Sequence, residues 1–186
     1  MYPNELSLKK YFKMDKYIHK LSYGANNIVI ALSDAEVAKI YEGDTRSDIG
    51  SEAEKMKVAN AINYLVVKFL RIDYDDNNQW EMLVMERLYP LDFRSFEVER
   101  RKLIIEVFED ELVTLHKQGF VHRDLKRPSN LSGEHYDNIF LTNQGLRLID
   151  VGISALKSQV GEKLFAKYIE VELQELAEFK HYFLSR

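Results

Sequence analysis

Cysteine is absent from the 186 residues, which excludes disulfides, thiolate metal sites and a cysteine nucleophile. A strong excess of one charge is also missing. The net charge of −4 and a pI near 5.8 give no nucleic-acid signature, and Lys9-Lys10 is too short a pair to form a basic patch. No apolar run approaches the length of a membrane span. The start of the chain, with Lys9, Lys10, Lys13, Asp15 and Lys16, lacks the apolar stretch of a secretory leader. A soluble, cytoplasmic protein is therefore expected. Asp73-Tyr74-Asp75-Asp76-Asn77-Asn78 lacks the glycine and closing glutamate of an EF-hand loop and reads as an exposed turn between strands. No repeat or low-complexity tract interrupts a chain long enough for one domain with a real core.

Hydrophobic periodicity supplies the elements. A short lead-in helix and the start of a strand are expected in the first twenty residues, then a sheet with one helix as far as Glu86. That helix spans residues 48–61, with Ile49, Ala53, Met56 and Ala59 near one face. A linker passes through Pro90. A long helix over residues 97–118 carries Leu103, Ile104, Val107, Phe108, Leu112 and Leu115 on one stripe, and Gly119 is placed to end it. Residues 161–186 form a last helix, in which Phe165, Ile169, Glu172/Leu173, Leu176, Phe179 and Phe183 recur at steps of three and four. Packing against a core is the main reading of that stripe; a partner-binding face is the alternative.

Two short runs carry the chemistry: His122-Arg123-Asp124-Leu125-Lys126, and Leu148-Ile149-Asp150-Val151-Gly152, with strand-like residues between them. Upstream lies the turn Leu21-Ser22-Tyr23-Gly24-Ala25-Asn26-Asn27-Ile28-Val29. Glycine there lets backbone approach a phosphate closely, and Asn27 tolerates left-handed geometry. A lysine sits inside the apolar run Val37-Ala38-Lys39-Ile40-Tyr41, two glutamates (Glu52 and Glu54) ride the next helix, and Trp80 to Arg87 reads as a buried strand. Taken singly, these are a hairpin, an outward lysine, surface carboxylates and plain core. Taken in order, they resemble the protein-kinase-like superfamily from about residue 17 to about residue 154.

The resemblance implies an α+β, two-lobed protein-kinase-like fold in a single domain, residues 1–186. Residues 1–88 would form a small antiparallel-sheet lobe with one helix and the hinge, and residues 89–186 a truncated, mainly helical lobe. It also implies ATP and Mg2+ as cofactors. Phosphoryl transfer needs positioning and charge neutralisation more than covalent help. Asp124 would orient the acceptor hydroxyl and take its proton, Asp150 would hold magnesium, and Lys126 would steady the phosphoryl group. Lys39 would contact the ATP phosphates, with Glu54 as its helix partner because residues 54–69 align without a gap; Glu52 is the alternative. Leu21, Gly24, Val29, Met85, Phe140 and Ile149, together with Val67, would enclose the nucleotide. Met85 would be the gatekeeper, and the backbone of Glu86 to Leu88 would meet adenine. Arg123 would be a structural or switch residue.

Three departures stand out. The metal-binding asparagine belongs five residues after the catalytic aspartate, where this chain has Ser129. Asn130 comes one residue later. Asn138 is the choice, because Asp137-Asn138-Ile139-Phe140-Leu141-Thr142 has the surroundings of a strand entry, followed by a hairpin turn at Asn143-Gln144-Gly145. This requires an insertion of nine residues, 127–135, in which Pro128, Ser129, Asn130, Ser132 and Gly133 supply loop chemistry. Val151 replaces the usual phenylalanine after the metal-binding aspartate. Only 36 residues follow Asp150, so the A-P-E run and the peptide-binding helices are missing. The expectation is a minimal serine/threonine-type kinase transferring the γ-phosphate to a protein hydroxyl, with a protein substrate or activating partner and no nucleic-acid or membrane partner. The alternatives are a nucleotide-binding interaction module and a small-molecule or glycolipid kinase.

Overall fold

A computed structural model of the chain describes residues 19–23, 27–41, 49–74, 81–127 and 135–185. The expected lead-in helix, Gly24 and Asn130 lie outside them. The fold is α+β with a small antiparallel sheet. Two compact units can be separated: residues 1–54 with 68–88, and residues 55–67 with 89–186. Residues 55–67, grouped with the sheet in the sequence reading, thus belong with the second unit. No helix among the described residues is long and apolar enough to cross a membrane.

The first unit is built on strands β1 (His19–Tyr23), β2 (Asn27–Ala31), β3 (Glu36–Tyr41), β4 (Phe69–Tyr74) and β5 (Glu81–Glu86). Their order is β1-β2-β3-β5-β4, with every neighbouring pair antiparallel. Alternation along each strand separates two faces. Ile28, Ile30, Ala38, Ile40, Met82 and Val84 pack as one apolar layer. Lys39 points the other way, in register with Val29 on β2 and Leu83 on β5. The lysine therefore sits in the middle strand, flanked by apolar neighbours and only 4 % exposed.

Helix α1 (Ile49–Ile62) buries Glu52, Ala53, Met56 and Ala59. Its first six residues count with the first unit and the remainder with the second. The second unit continues with α2 (Val98–Lys117), β6 (Phe120–Val121), β7 (Ile139–Thr142), β8 (Gly145–Leu148), β9 (Ala155–Leu156), the single turn α3 (Lys157–Val160) and α4 (Glu162–Ser185). β6 pairs with β9, and β7 with β8 across the tight turn Asn143-Gln144. Thr142 Oγ1 accepts from Gln144 N–H and donates to the Gly145 carbonyl, closing that turn.

The buried stripe of α2 is Arg101, Ile105, Phe108, Leu112, Leu115 and His116. Leu103 and Val107, expected on the core face, are more than 60 % exposed. The helix is rotated because Arg101 is drawn inward, where its guanidinium donates to the Phe183 carbonyl at 2.5 Å. A cation there faces a carbonyl of the last described turn of α4. Phe108, Phe179 and Phe183 stack at ring separations of 5.5–5.8 Å, so α4 closes the core of this unit. The ambiguous position in its stripe belongs to Glu172, which is fully buried, while Leu173 is exposed.

Gly119 ends α2 with φ +91°. A Cβ built there would come within 3.3 Å of Lys157 Cβ. The Gly119 carbonyl accepts from Lys157 N–H at 2.8 Å, so the backbone has little room to relax. Gly119→Ala is expected to cost about 1–2 kcal/mol, mainly from the left-handed backbone, measured by denaturant unfolding.

Candidate active site

The loop after β6 carries the first motif. His122 is fully buried, and its Nε2 lies 2.9 Å from the Ile149 carbonyl. Arg123 is held in the left-handed region at φ +71°, a conformation that persists only where its surroundings over-determine it. Three contacts do so. Its amide donates to Glu172 Oε2 on α4. Its guanidinium donates to the Ile153 carbonyl at 2.9 Å and stacks 3.8 Å over the Tyr168 ring. These contacts tie Arg123 to α4 and to the segment that follows Asp150.

Asp124 follows, half-buried. The Asn138 side-chain amide donates to the Asp124 carbonyl at 3.0 Å and to Asp124 Oδ2 at 2.9 Å. The Asn138 backbone carbonyl accepts from Ile149 N–H at 3.0 Å. One asparagine therefore ties the first motif to the residue preceding Asp150. The ends of the intervening segment close through Arg127 N–H to the His135 carbonyl at 2.8 Å and through an Arg127–Asp137 ion pair. That closure brings Asn138 back beside Asp124 despite the fourteen-residue separation.

Burial holds the Asp124 carboxyl above the ordinary aspartate range. His122 and the Asn138 hydrogen bond oppose this, and the charges of Asp150 and Asp137 reinforce it. Asp150 is exposed, at φ +57°, and its Oδ1 faces Gly152 N–H at 3.4 Å. The repulsion between Asp124 and Asp150 is of the kind that a cation relieves. Among the described residues no group of three or more His, Cys, Asp or Glu side chains is placed to hold a metal. Magnesium needs only one or two protein oxygens when substrate phosphates and water complete its shell. Asp150 and Asn138, the residues expected to bind it, would supply oxygens of that number and kind.

Helix α4 lines the same loop with carboxylates spaced three residues apart. Glu172 accepts from Arg123 N–H and pairs with His116 Nε2 at 2.8 Å. Glu175 accepts from Leu125 N–H at 3.3 Å. Burial keeps its carboxyl above the usual range, against the opposing pull of the Leu125 and Lys126 amides. Glu178 pairs with the Lys126 ammonium and raises its pKa. Lys126, assigned to the phosphoryl group by resemblance, is thus bonded to α4. The sequence reading missed Glu172 and Glu175 as site residues. For Glu172 the signal was a glutamate inside an otherwise apolar helical stripe; Glu175, off that stripe, carried none.

The first unit holds the remaining charges. Lys39 Nζ lies 3.0 and 3.1 Å from the two oxygens of Glu52, and both side chains are at most 5 % exposed. This corrects the choice of Glu54, which is exposed. A gap-free alignment constrains length, whereas the helix face decides the partner. Glu52 shares its face with Met56 and Ala59, and Glu54 is turned about 200° away at 100° per residue.

Of the residues expected around a nucleotide, Met85 is buried opposite Val37, Val29 is half-buried and Leu21 is 46 % exposed. Glu86 N–H is bonded to the Lys68 carbonyl and Arg87 N–H to the Ala35 carbonyl. These two donors, expected to face adenine by resemblance, are thus engaged within the first unit. In the second unit Val67 is buried, and Phe140 and Ile149 are half-buried. Comparison with protein-family models and with curated proteins finds no match to this chain.

Proposed function

We propose that the chain is a minimal ATP- and magnesium-dependent kinase of the cytoplasm, with a two-lobed protein-kinase-like fold, that transfers the γ-phosphate to a protein hydroxyl. Residues 1–54 with 68–88 serve as the smaller lobe, and residues 55–67 with 89–186 as the larger. The observation that carries this reading is the Asn138 amide on Asp124. The two residues are far apart in sequence, and each has its own place in a phosphate-transfer site. Asp124 takes the proton of the acceptor hydroxyl as its oxygen bonds to the γ-phosphorus. The bond from that phosphorus to the β-phosphate oxygen breaks, and ADP leaves. The raised pKa of Asp124 suits a group that must gain a proton near neutral pH. Lys39, oriented by both oxygens of Glu52, neutralises phosphate charge. Asp150 and Asn138 would hold magnesium, which would supply further charge neutralisation.

The short connector between Asp150 and α4 leaves peptide recognition to a partner or to the substrate itself. The Glu178 partner of Lys126 favours a second reading, a nucleotide-binding interaction module with slow turnover. Purified protein incubated with γ-labelled ATP, magnesium and a generic acceptor protein separates the readings. Label in protein that disappears in Asp124→Ala is the expected result. Tight nucleotide binding with no transfer points to the interaction module. Label found only in small molecules of a metabolite extract makes the acceptor a metabolite.

A further inference from the structure

The segment 149–154 carries Asp150 and is held mostly by the loop beside it. His122 bonds the Ile149 carbonyl, Arg123 bonds the Ile153 carbonyl, and Ser154 Oγ donates to the His122 carbonyl at 3.0 Å. Another contact comes from a helix distant in sequence. Lys55, on α1, donates to the Gly152 carbonyl at 2.7 Å. Its side chain is buried, with 8 % of the residue exposed. Taking an ammonium out of water is costly, and methionine has similar length without that penalty. The Gly152 carbonyl offsets part of that cost and fixes where the ammonium sits. Gly152 lies two residues after Asp150, whose left-handed φ must be kept for the carboxylate to stay on the turn. The same helix carries Glu52, the partner of Lys39, one turn upstream.

We infer that Lys55 is a positioning residue for Asp150, holding the metal-binding turn through the Gly152 carbonyl. The inference rests on the kinase reading above. Its test uses the full chain with Lys55→Met and Lys55→Arg, reading melting temperature, hydrogen exchange across residues 149–156, and the magnesium dependence of phosphoryl transfer. Lys55→Met is expected to keep or raise the melting temperature. It should speed exchange in the turn and increase the magnesium concentration for half-maximal rate about tenfold, the effect usual for residues that orient a metal ligand. Lys55→Arg, which still donates to a carbonyl, should recover most of the loss. Unchanged exchange and unchanged magnesium dependence in Lys55→Met would overturn the assignment, as would a fall in melting temperature that is the sole effect. Should the wild-type protein transfer no phosphate, the kinase reading fails on that result, and exchange in the turn still decides the Lys55 contact.

Discussion

Asp124→Asn is expected to slow phosphoryl transfer about 10²–10⁴-fold, the range for losing a positioned base, while making the protein more stable at neutral pH. The two effects have one cause. The fold raises the Asp124 pKa chiefly by burial, with Asp150 adding to the shift. A carboxyl raised in this way favours the folded state when protonated. That contribution is complete below the unfolded-chain pKa and is lost as pH rises through the folded-state value. At neutral pH the ionised carboxylate is held half-buried near a second negative charge, and a neutral amide removes both penalties. It also keeps an oxygen for the Asn138 hydrogen bond. The melting temperature of Asp124→Asn should therefore exceed that of the wild type at pH 7, and the gap should narrow as pH falls. Activity should show the opposite slope. Asp124 accepts a proton only when ionised, so the acid limb of the pH–rate profile should lie above the ordinary aspartate range. A variant that loses stability at pH 7, or a wild-type profile that falls only at the pKa of a free aspartate, would contradict this account.

How much of this was readable beforehand differs from residue to residue. The elements were well marked. Strands around Lys39 and Met85, a helix before Gly119 and a final helix through Phe183 all follow from period and from glycine. Asn138 was selected over Asn130 by the strand residues after it, and it lies 2.9 Å from Asp124. Two things were not readable, for related physical reasons. Glu52 and Glu54 have equal claim from composition, and only the rotation of α1 decides which reaches Lys39. The core face of α2 was drawn through Leu103 and Val107 because apolar residues mark a stripe. Arg101 and His116 bury themselves instead, by finding the Phe183 carbonyl and Glu172. Periodicity detects hydrophobic burial and is blind to polar burial satisfied by partners distant in sequence. Most of the residues that hold the Asp124 loop from outside belong to that second class.

The buried Lys39–Glu52 pair should be a liability for stability and a requirement for activity, and a double replacement separates the two. Lys39→Met alone leaves the Glu52 carboxylate, 2 % exposed, without its ammonium. Breaking a buried pair from one side costs about 3–5 kcal/mol, so denaturant unfolding should show a loss of that size. Glu52→Leu alone takes both carboxylate oxygens from the ammonium and should cost a similar amount. The combination Lys39→Met with Glu52→Leu should recover most of the stability, because replacing both charges by apolar groups of matching volume is often neutral or favourable. Val29 and Leu83, in register with Lys39 across the sheet, offer such groups an apolar setting. Glu54→Leu, on the exposed face of α1, should fall within about 0.5 kcal/mol of wild type, which tests the corrected pairing directly. If the double variant is stable yet transfers no phosphate, the charges are kept for phosphate handling and not for folding. If it is stable and fully active, Lys39 has no role at the phosphates, and the kinase reading loses its contribution from the first unit.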